Sequence, residues 1–337
     1  PDLLILDEPT NHLDTAHIEW LTEYLKNLNG TFLIVSHDTH FLDNVCNVIW
    51  SVEYCNIVRY NGNYSAYVRQ RAEKEKTTEK AIRKQELQIA KLKDYIARNS
   101  VRTSTARQAQ SRQKQLDKME IIEKPEVPPT PKYKFLYTPL AADVVIKTHA
   151  LAVGYERPLL ENINLIIRNG EKWRISGFNG IGKTTLLKTL LGEIEQKSGK
   201  IAKHPFLQIG YFAQDIKWDD PTITPIEELR NEFPKLEDKQ LRGSLAKAGL
   251  AGKYQIRPLE SLSGGEQSKV KLSKFLLQPF NFIILDEPTN HLDVISKKAL
   301  AKAVNEFAGT VIFVSHEEDF VKQIDCKTYD LSRNLIK

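Results

Sequence analysis

Apolar residues fall into runs that predict most of the elements. Residues 3–7 begin with four consecutive apolar side chains, the pattern of a strand buried on both faces. Residues 15–28 set Ile18, Leu21, Leu25 and Leu28 on one helical face and stop at Asn29-Gly30. Residues 31–35 predict a second buried strand, 38–47 a short helix, and 48–51 and 56–59 two further strands. At residue 64 the pattern changes, and no glycine occurs from there until Gly154. Residues 64–98 are charged, with Ile82, Ile89, Leu92 and Ile96 at heptad-like steps. Residues 99–103 lack that pattern, and 104–122 resume helical spacing through Ala109, Leu116 and Met119. Two long antiparallel helices with a tip near residues 99–104 are predicted, the first of about 35 residues and roughly 50 Å. Five prolines in residues 125–139 mark an extended connector. From residue 144 onward buried strands alternate with helices, which predicts an α/β fold with a mainly parallel sheet.

One repeat organises the chemistry. The nonapeptide LDEPTNHLD occupies residues 6–14 and again 285–293, and each copy is followed by Ser-His, at Ser36-His37 and Ser315-His316. The Glu-to-His gap is 29 positions both times, from Glu8 to His37 and from Glu287 to His316. Such a recurrence marks a duplicated module. No run approaches the roughly 18 apolar residues that span a bilayer. Cys46, Cys55 and Cys326 are scattered without metal-ligand spacing, as expected of reduced thiols in a reducing cytosol. Net charge is +5, but residues 69–120 hold 15 Lys/Arg against 7 Asp/Glu, a balance of +8 that leaves −3 elsewhere. The basic excess therefore points to a polyanion partner for the helical segment. Two solvated helices that merely space two domains are the alternative.

Three motifs carry chemistry. Gly177-Phe-Asn179-Gly180-Ile-Gly182-Lys183-Thr184-Thr185 matches the phosphate-binding loop, between a predicted strand at 173–176 and a helical run at 186–191. Its glycines let backbone N–H groups turn toward phosphates, and the helix N-terminus adds positive potential. Lys183 is expected to reach the β/γ-phosphates and the Thr184 hydroxyl to ligate Mg²⁺. Asp286 and Glu287 end a predicted strand at 282–285; Asp286 suits Mg²⁺ through water and Glu287 suits a general base. Ser263-Gly264-Gly265 before a helix offers a hydroxyl and bare N–H groups to an anion.

The phosphate loop, the acidic strand end and Ser263-Gly264-Gly265 twenty residues before it resemble the signature elements of ATP-binding cassette ATPases. That resemblance implies a P-loop NTPase domain with further roles: Tyr155 stacking on adenine, Gln214 contacting Mg²⁺ and water, His316 holding the γ-phosphate, and Asp293 as the D-loop aspartate. Tandem cassettes, the wording DEPTNHLD and a basic hairpin between them resemble the ABC-F subfamily, whose members act on the ribosome without membrane domains. The resemblance implies ATP and Mg²⁺ as ligands and a cytoplasmic location. It also implies a hairpin that meets P-site tRNA and 23S ribosomal RNA, with Arg98, Arg102, Arg107, Arg112 and Lys114 at and after its tip. The expected division is 1–63, the C-terminal part of a first cassette; 64–124, the hairpin; 125–143, the connector; and 144–337, a complete second cassette.

The first copy shows only Asp7, Glu8, a D-loop at residues 11–14 and His37, and Thr39 stands where ABC-F proteins usually carry Arg. Cassettes of this family sandwich two ATP molecules between one phosphate loop and the opposing signature. The chain is therefore expected to hold half of each composite site, with a missing N-terminal half-cassette as its intramolecular partner, and to turn over slowly. ATP-dependent homodimerisation and a poorly buried first fragment are further expectations. A membrane transporter's ATPase subunit is the rival reading, and a DNA-repair ATPase a more distant one. The short predicted tip inclines the reading toward housekeeping translation rather than antibiotic protection.

Overall fold

A computed structural model describes residues 2–10, 13, 15–53, 56–99, 106–119 and 130–335. They form two compact units, residues 1–40 with 128–337, and residues 41–127.

The first unit opens with β1 (Leu3–Asp7), α1 (Thr15–Lys26) and β2 (Thr31–Val35). β1 and β2 pair in parallel from Leu3↔Thr31 to Asp7↔Val35. The apolar runs alone predict strands buried on two faces, whereas the first fragment as a whole is expected to be poorly buried, and the structure shows the latter. Leu3, Ile5, Leu33 and Val35 are exposed. Among the described residues the sheet contains only these two strands, which leaves the outward set of each alternation uncovered. α2 (Thr39–Val45) spans the boundary between the units.

The second unit contains the hairpin β3 (Val48–Glu53) and β4 (Asn56–Asn61), then α3 (Tyr64–Asn99) and α4 (Ala106–Asp117). At 36 residues, α3 extends about 54 Å. The Asn63 side chain accepts from Ala66 N at 3.1 Å, which caps the start of α3. Leu92 is buried, and Tyr95 OH donates to Gln108 Oε1 at 2.8 Å. A residue near the end of α3 thus meets one near the start of α4, the antiparallel hairpin that the spacing predicts. Its tip, residues 100–105, lies outside the described residues.

The rest of the first unit runs β5 (Leu136–Tyr137), β6 (Val144–Gly154), β7 (Pro158–Ile163), β8 (Ile166–Arg168), β9 (Lys172–Ser176), α5 (Lys183–Leu191), β10 (Ser198–Lys203) and β11 (Ile209–Phe212). It continues with α6 (Pro225–Glu232), α7 (Asp238–Lys247), α8 (Gly264–Leu276), β12 (Pro279–Phe280), β13 (Phe282–Asp286), α9 (Val294–Glu306), β14 (Thr310–Val314), α10 (Glu318–Val321) and β15 (Lys327–Asp330). Five strands form a wholly parallel sheet in the order β11-β13-β14-β9-β15. A second, antiparallel sheet, which the sequence reading did not separate, joins β10, β6 and β7, with β8 on β6.

β13 and β14 are buried along their whole length because both faces of the parallel sheet are covered. Ile283, Leu285, Val311 and Phe313 pack with residues of α8 and α9, whereas Phe282, Ile284, Ile312 and Val314 pack with Leu186, Leu187 and Leu190 of α5. Alternation along each strand divides them between the two cores. A third apolar cluster joins α6, α7 and the first half of α8 through Leu229, Leu241, Leu245 and Val270. The segment expected to be an extended connector is partly core: Phe135 meets Phe275 and Phe307 edge-on, each with 5.8 Å between ring centroids.

Candidate active site

The phosphate-binding loop links the end of β9 to α5. Gly177, Gly180 and Gly182 have φ of 147°, 81° and 109°, values that a side chain would strain. Gly180 is open to a ligand, since nothing lies within 4 Å of where its Cβ would be. Lys183, only 8% exposed, donates from Nζ to Gly177 O at 2.8 Å and Phe178 O at 3.1 Å. The ammonium is thus held over the loop by bonds that a phosphate can replace.

β13 ends beside it. Thr184 Oγ1 donates to Asp286 Oδ2 at 2.8 Å, and Tyr211 OH lies 3.5 Å from the same oxygen. The other carboxylate oxygen, Oδ1, is buried with no hydrogen-bond partner among the described residues. Burial raises the Asp286 pKa against the Thr184 and Tyr211 bonds and the charges of Lys183 and Lys188. A buried, unsatisfied carboxylate oxygen next to a threonine hydroxyl is a hard-oxygen donor pair, which fits Mg²⁺.

Glu287 has a φ of 47°, so the chain turns sharply at the strand's end. Its carboxylate accepts from His316 N at 3.4 Å, and His316 Nε2 approaches the other oxygen at 3.3 Å. Burial pushes the Glu287 pKa up to about 7, with Lys183 opposing and Asp286 reinforcing the shift.

Most of the expected site residues converge. Tyr155, Asn179, Gly180, Gly182, Lys183, Thr184, Thr185, Gln214, Asp286, Glu287 and His316 line one cleft of about 470 Å³. Gly177 contributes through its bond to Lys183 rather than by lining the cleft. The first copy joins the same cleft through Glu8 and His37, an arrangement that the sequence reading did not foresee. His37 repeats the contacts of His316: its N donates to Glu8 Oε2 at 3.3 Å, and its Nε2 lies 3.5 Å from Oε1. Thr39, at the family's usual Arg position, donates to Asp319 Oδ2 at 2.8 Å.

Besides Gly177, four expected residues lie away from the cleft lining. Ser263 and Gly264 are exposed at the N-terminus of α8, with Gly265 half-buried behind them. Ser263 Oγ accepts from Glu266 N at 3.3 Å, and Glu266 Oε2 accepts from Ser263 N at 2.8 Å, so a capping box already uses part of this anion-binding turn. Asp293 caps α9 by accepting from Ser296 N at 2.8 Å and pairs with Lys269 Nζ at 2.7 Å. Burial pushes its pKa up, but those bonds outweigh it and hold the carboxyl below the usual range.

The sequence reading missed Lys297 and Glu317, an ion pair at 2.7 Å on the cleft wall, and Tyr211 beneath Asp286. Tyr211 was findable, three residues before Gln214. Lys297 carried no motif.

On the hairpin, Arg98, Arg107, Arg112 and Lys114 are exposed, and Arg98 Nε pairs with Asp94 at 2.9 Å. Arg112 lies over the Tyr95 ring at 6.0 Å. Arg102 is outside the described residues.

Two family profiles, each described as ABC transporter, match residues 50–135 and 160–290. The chain is 42% identical, over 98% of its length and 64% of the relative's, to a Bacillus subtilis protein named an uncharacterized ABC transporter ATP-binding protein, YfmM. It is 38% identical to ABC transporter F family member 5 of Arabidopsis thaliana, over 96% of the chain and 48% of that protein. The chain belongs to the ABC-F type of ATP-binding cassette protein. It spans between about half and just under two thirds of the length of these relatives. A solved structure of ribosome-bound archaeal Pelota and ABCE1 shares the fold at a TM-score of 0.60 and 23% identity, over 97% of this chain and 49% of that one. An ABC transporter ATP-binding protein from Pyrococcus furiosus aligns at a TM-score of 0.50 and 26% identity, over 57% of this chain and 99% of its own. The fold is therefore that of an ABC-type P-loop domain with a helical hairpin before it, and the chain carries an ABC ATPase domain. No helix among the described residues is long and apolar enough to cross a membrane.

Proposed function

We propose that this ABC-F chain binds and hydrolyses Mg-ATP in the cleft around Lys183, within a protein that acts on the ribosome from the cytoplasm. One observation carries the reading: the Lys183, Thr184, Gln214, Asp286, Glu287 and His316 side chains, drawn from four separate stretches of sequence, line a single cleft. Phosphates displace the Gly177 and Phe178 carbonyls from Lys183, and the N–H groups at the start of α5 take up the remaining negative charge. Thr184 and Asp286, with Gln214, would hold Mg²⁺, which neutralises charge on the β- and γ-phosphates. Glu287 accepts a proton from water as the water oxygen attacks the γ-phosphorus. The bond from that phosphorus to its bridging oxygen breaks, leaving ADP and phosphate. A base with a pKa near the working pH is well matched to this task. His316 aligns the Glu287 carboxylate and faces the terminal phosphate.

In this reading residues 1–63 belong to a first cassette, 64–124 form the hairpin, 125–143 connect, and 144–337 form the second cassette. Nucleotide-gated closure then sets the hairpin against P-site tRNA and 23S ribosomal RNA. Its exposed Arg107, Arg112 and Lys114 favour phosphate contacts that weaken with salt and read no base sequence. The ABCE1 likeness supports the fold only; the hairpin charge and the ABC-F relatives support the ribosome.

Lys183→Ala is expected to weaken Mg-ATP binding by at least about tenfold, the scale of a lost charge-assisted hydrogen bond, measured with a fluorescent ATP analogue. Unchanged affinity would remove the nucleotide reading. Reversing the charge of Arg98, Arg102 and Arg107 together should abolish ribosome co-sedimentation and leave ATP affinity intact. If co-sedimentation persists, the hairpin is a spacer.

A further inference from the structure

We propose that Lys271 is a positioning residue for Gln214, fixing the backbone on both sides of it and tying it to the helix that begins at Ser263-Gly264-Gly265. The proposal rests on the ATPase reading above and assigns a residue that no nucleotide motif includes.

Lys271 lies in the eighth position of α8. Its Nζ donates to Ala213 O and, at 2.8 Å, to Asp215 O. These carbonyls belong to the residues immediately before and after Gln214, so both flanking peptide planes are held by one ammonium. The same Nζ sits 4.6 Å from the Phe212 ring centroid, a cation–π contact with the last residue of β11. A lysine has three donors on a flexible stem, and here carbonyls take two of its donors while the aromatic face backs it.

Lys271 does not act alone. Gln267 Oε1 accepts from Trp218 Nε1 at 2.9 Å, and Lys274 Nζ stands 5.6 Å from a Trp218 ring centroid. Gln267, Lys271 and Lys274 are spaced i, i+4, i+7 and form one stripe of α8. That stripe grips the loop after β11 at Ala213, Asp215 and Trp218. Lys274 is anchored in turn by Glu228 at 2.5 Å and Glu232 at 2.6 Å on α6. The loop bearing Gln214 is thus fastened to the helical layer. Gln214 lines the cleft, whereas the exposed Ser263 and Gly264 at the head of α8 lie apart from it. A shift of α8 on engagement of its N-terminus would therefore move the Ala213 and Asp215 carbonyls, and Gln214 with them.

The test compares the wild-type chain with Lys271→Met, Lys271→Arg, Gln214→Ala and the Met/Ala double variant. Lys271→Met removes the donors and keeps the stem. It is expected to lower kcat by about tenfold, the loss of two charge-assisted bonds acting on one group, with KM for ATP within about twofold of wild type. Lys271→Arg should recover most of the rate. Gln214→Ala should match Lys271→Met, and the double variant should be no worse than either single, since the lysine acts through the glutamine. Losses that multiply, or an unchanged kcat in Lys271→Met, overturn the proposal. Amide hydrogen exchange over residues 212–216 gives a readout independent of turnover. Faster exchange in Lys271→Met, reversed in Lys271→Arg, supports the clamp, and unchanged exchange overturns it. A wild-type chain that binds but never hydrolyses ATP defeats the ATPase reading, and the exchange result still decides the clamp.

Discussion

Glu8 and Glu287 turn the chain with φ of 45° and 47°, and the two copies of LDEPTNHLD build the same corner around them. Glu8 N donates to Val35 O at 2.7 Å and Glu287 N to Val314 O at 3.0 Å. Thr10 and Ser36 oxygens stand 3.5 Å apart, and those of Thr289 and Ser315 stand 3.4 Å apart. The copies differ in burial. Side-chain exposure is 22% for Glu8 and 48% for His37, against 11% for Glu287 and 21% for His316. Ile5 is 64% exposed and its counterpart Ile284 fully buried. Local sequence therefore writes the hydrogen-bond geometry of the corner, and the surrounding sheet supplies the burial that raises the Glu287 pKa to about 7. Only the second copy has a bond from its acidic corner to the phosphate-binding helix among the described residues, Thr184 Oγ1 to Asp286 Oδ2.

Substitution of the paired glutamates should widen this contrast most. Glu287→Gln is expected to lower ATP turnover by about 10²–10⁴, the range for loss of a general base, while Mg-ATP binding persists. Glu8→Gln should change turnover by less than about twofold in a phosphate-release assay, because the Glu8 carboxylate, though it lines the same cleft, is less buried than that of Glu287. A comparable loss in Glu8→Gln would show that both copies share the chemistry of the cleft, and the contrast would fail.

The strand cores give the next effect. Ile284→Ala should cost about 2–5 kcal/mol in denaturant unfolding, from lost burial and the cavity left behind. Ile5→Ala should stay within about 0.5 kcal/mol, as for an exposed site. Equal costs would mean that the β1–β2 pair is covered in solution.

A smaller, pH-dependent effect sharpens the point. Glu287 has its folded pKa raised to about 7, so it binds more protons folded than unfolded. Its contribution to stability is fully present below the unfolded value, near pH 4.5, and is lost as pH rises through 7. In chelator without nucleotide, Glu287→Gln should be more stable than wild type by on the order of 2–3 kcal/mol at pH 8, and the gain should fade toward pH 4.5. A melting-temperature difference that does not vary with pH would show that Glu287 is not desolvated.

Much of this was legible early. The phosphate loop, both DEPTNHLD corners and the α3–α4 hairpin follow from runs of adjacent residues whose spacing is itself the signal. The antiparallel sheet was not separated, because which of β6, β7, β8 and β10 pair is set by long-range contacts that no run of adjacent residues states. Phe135 was read as connector because nearby prolines suggested extended chain, yet that extended chain delivers its ring to Phe275 and Phe307. Lys297 and Lys271 escaped because each partner lies 20 or more residues away.

By itself the sequence determined which side chains are candidates for phosphate and proton chemistry, and that the corner bearing them is made twice, since these depend on residue identity and short-range chain geometry. Only the tertiary structure decided that Glu8 and His37 join the cleft of Lys183, and that Lys271 grips the chain around Gln214. Burial and long-range contact are properties of packed layers, fixed by what lies across a sheet or helix face rather than by what comes next along the chain.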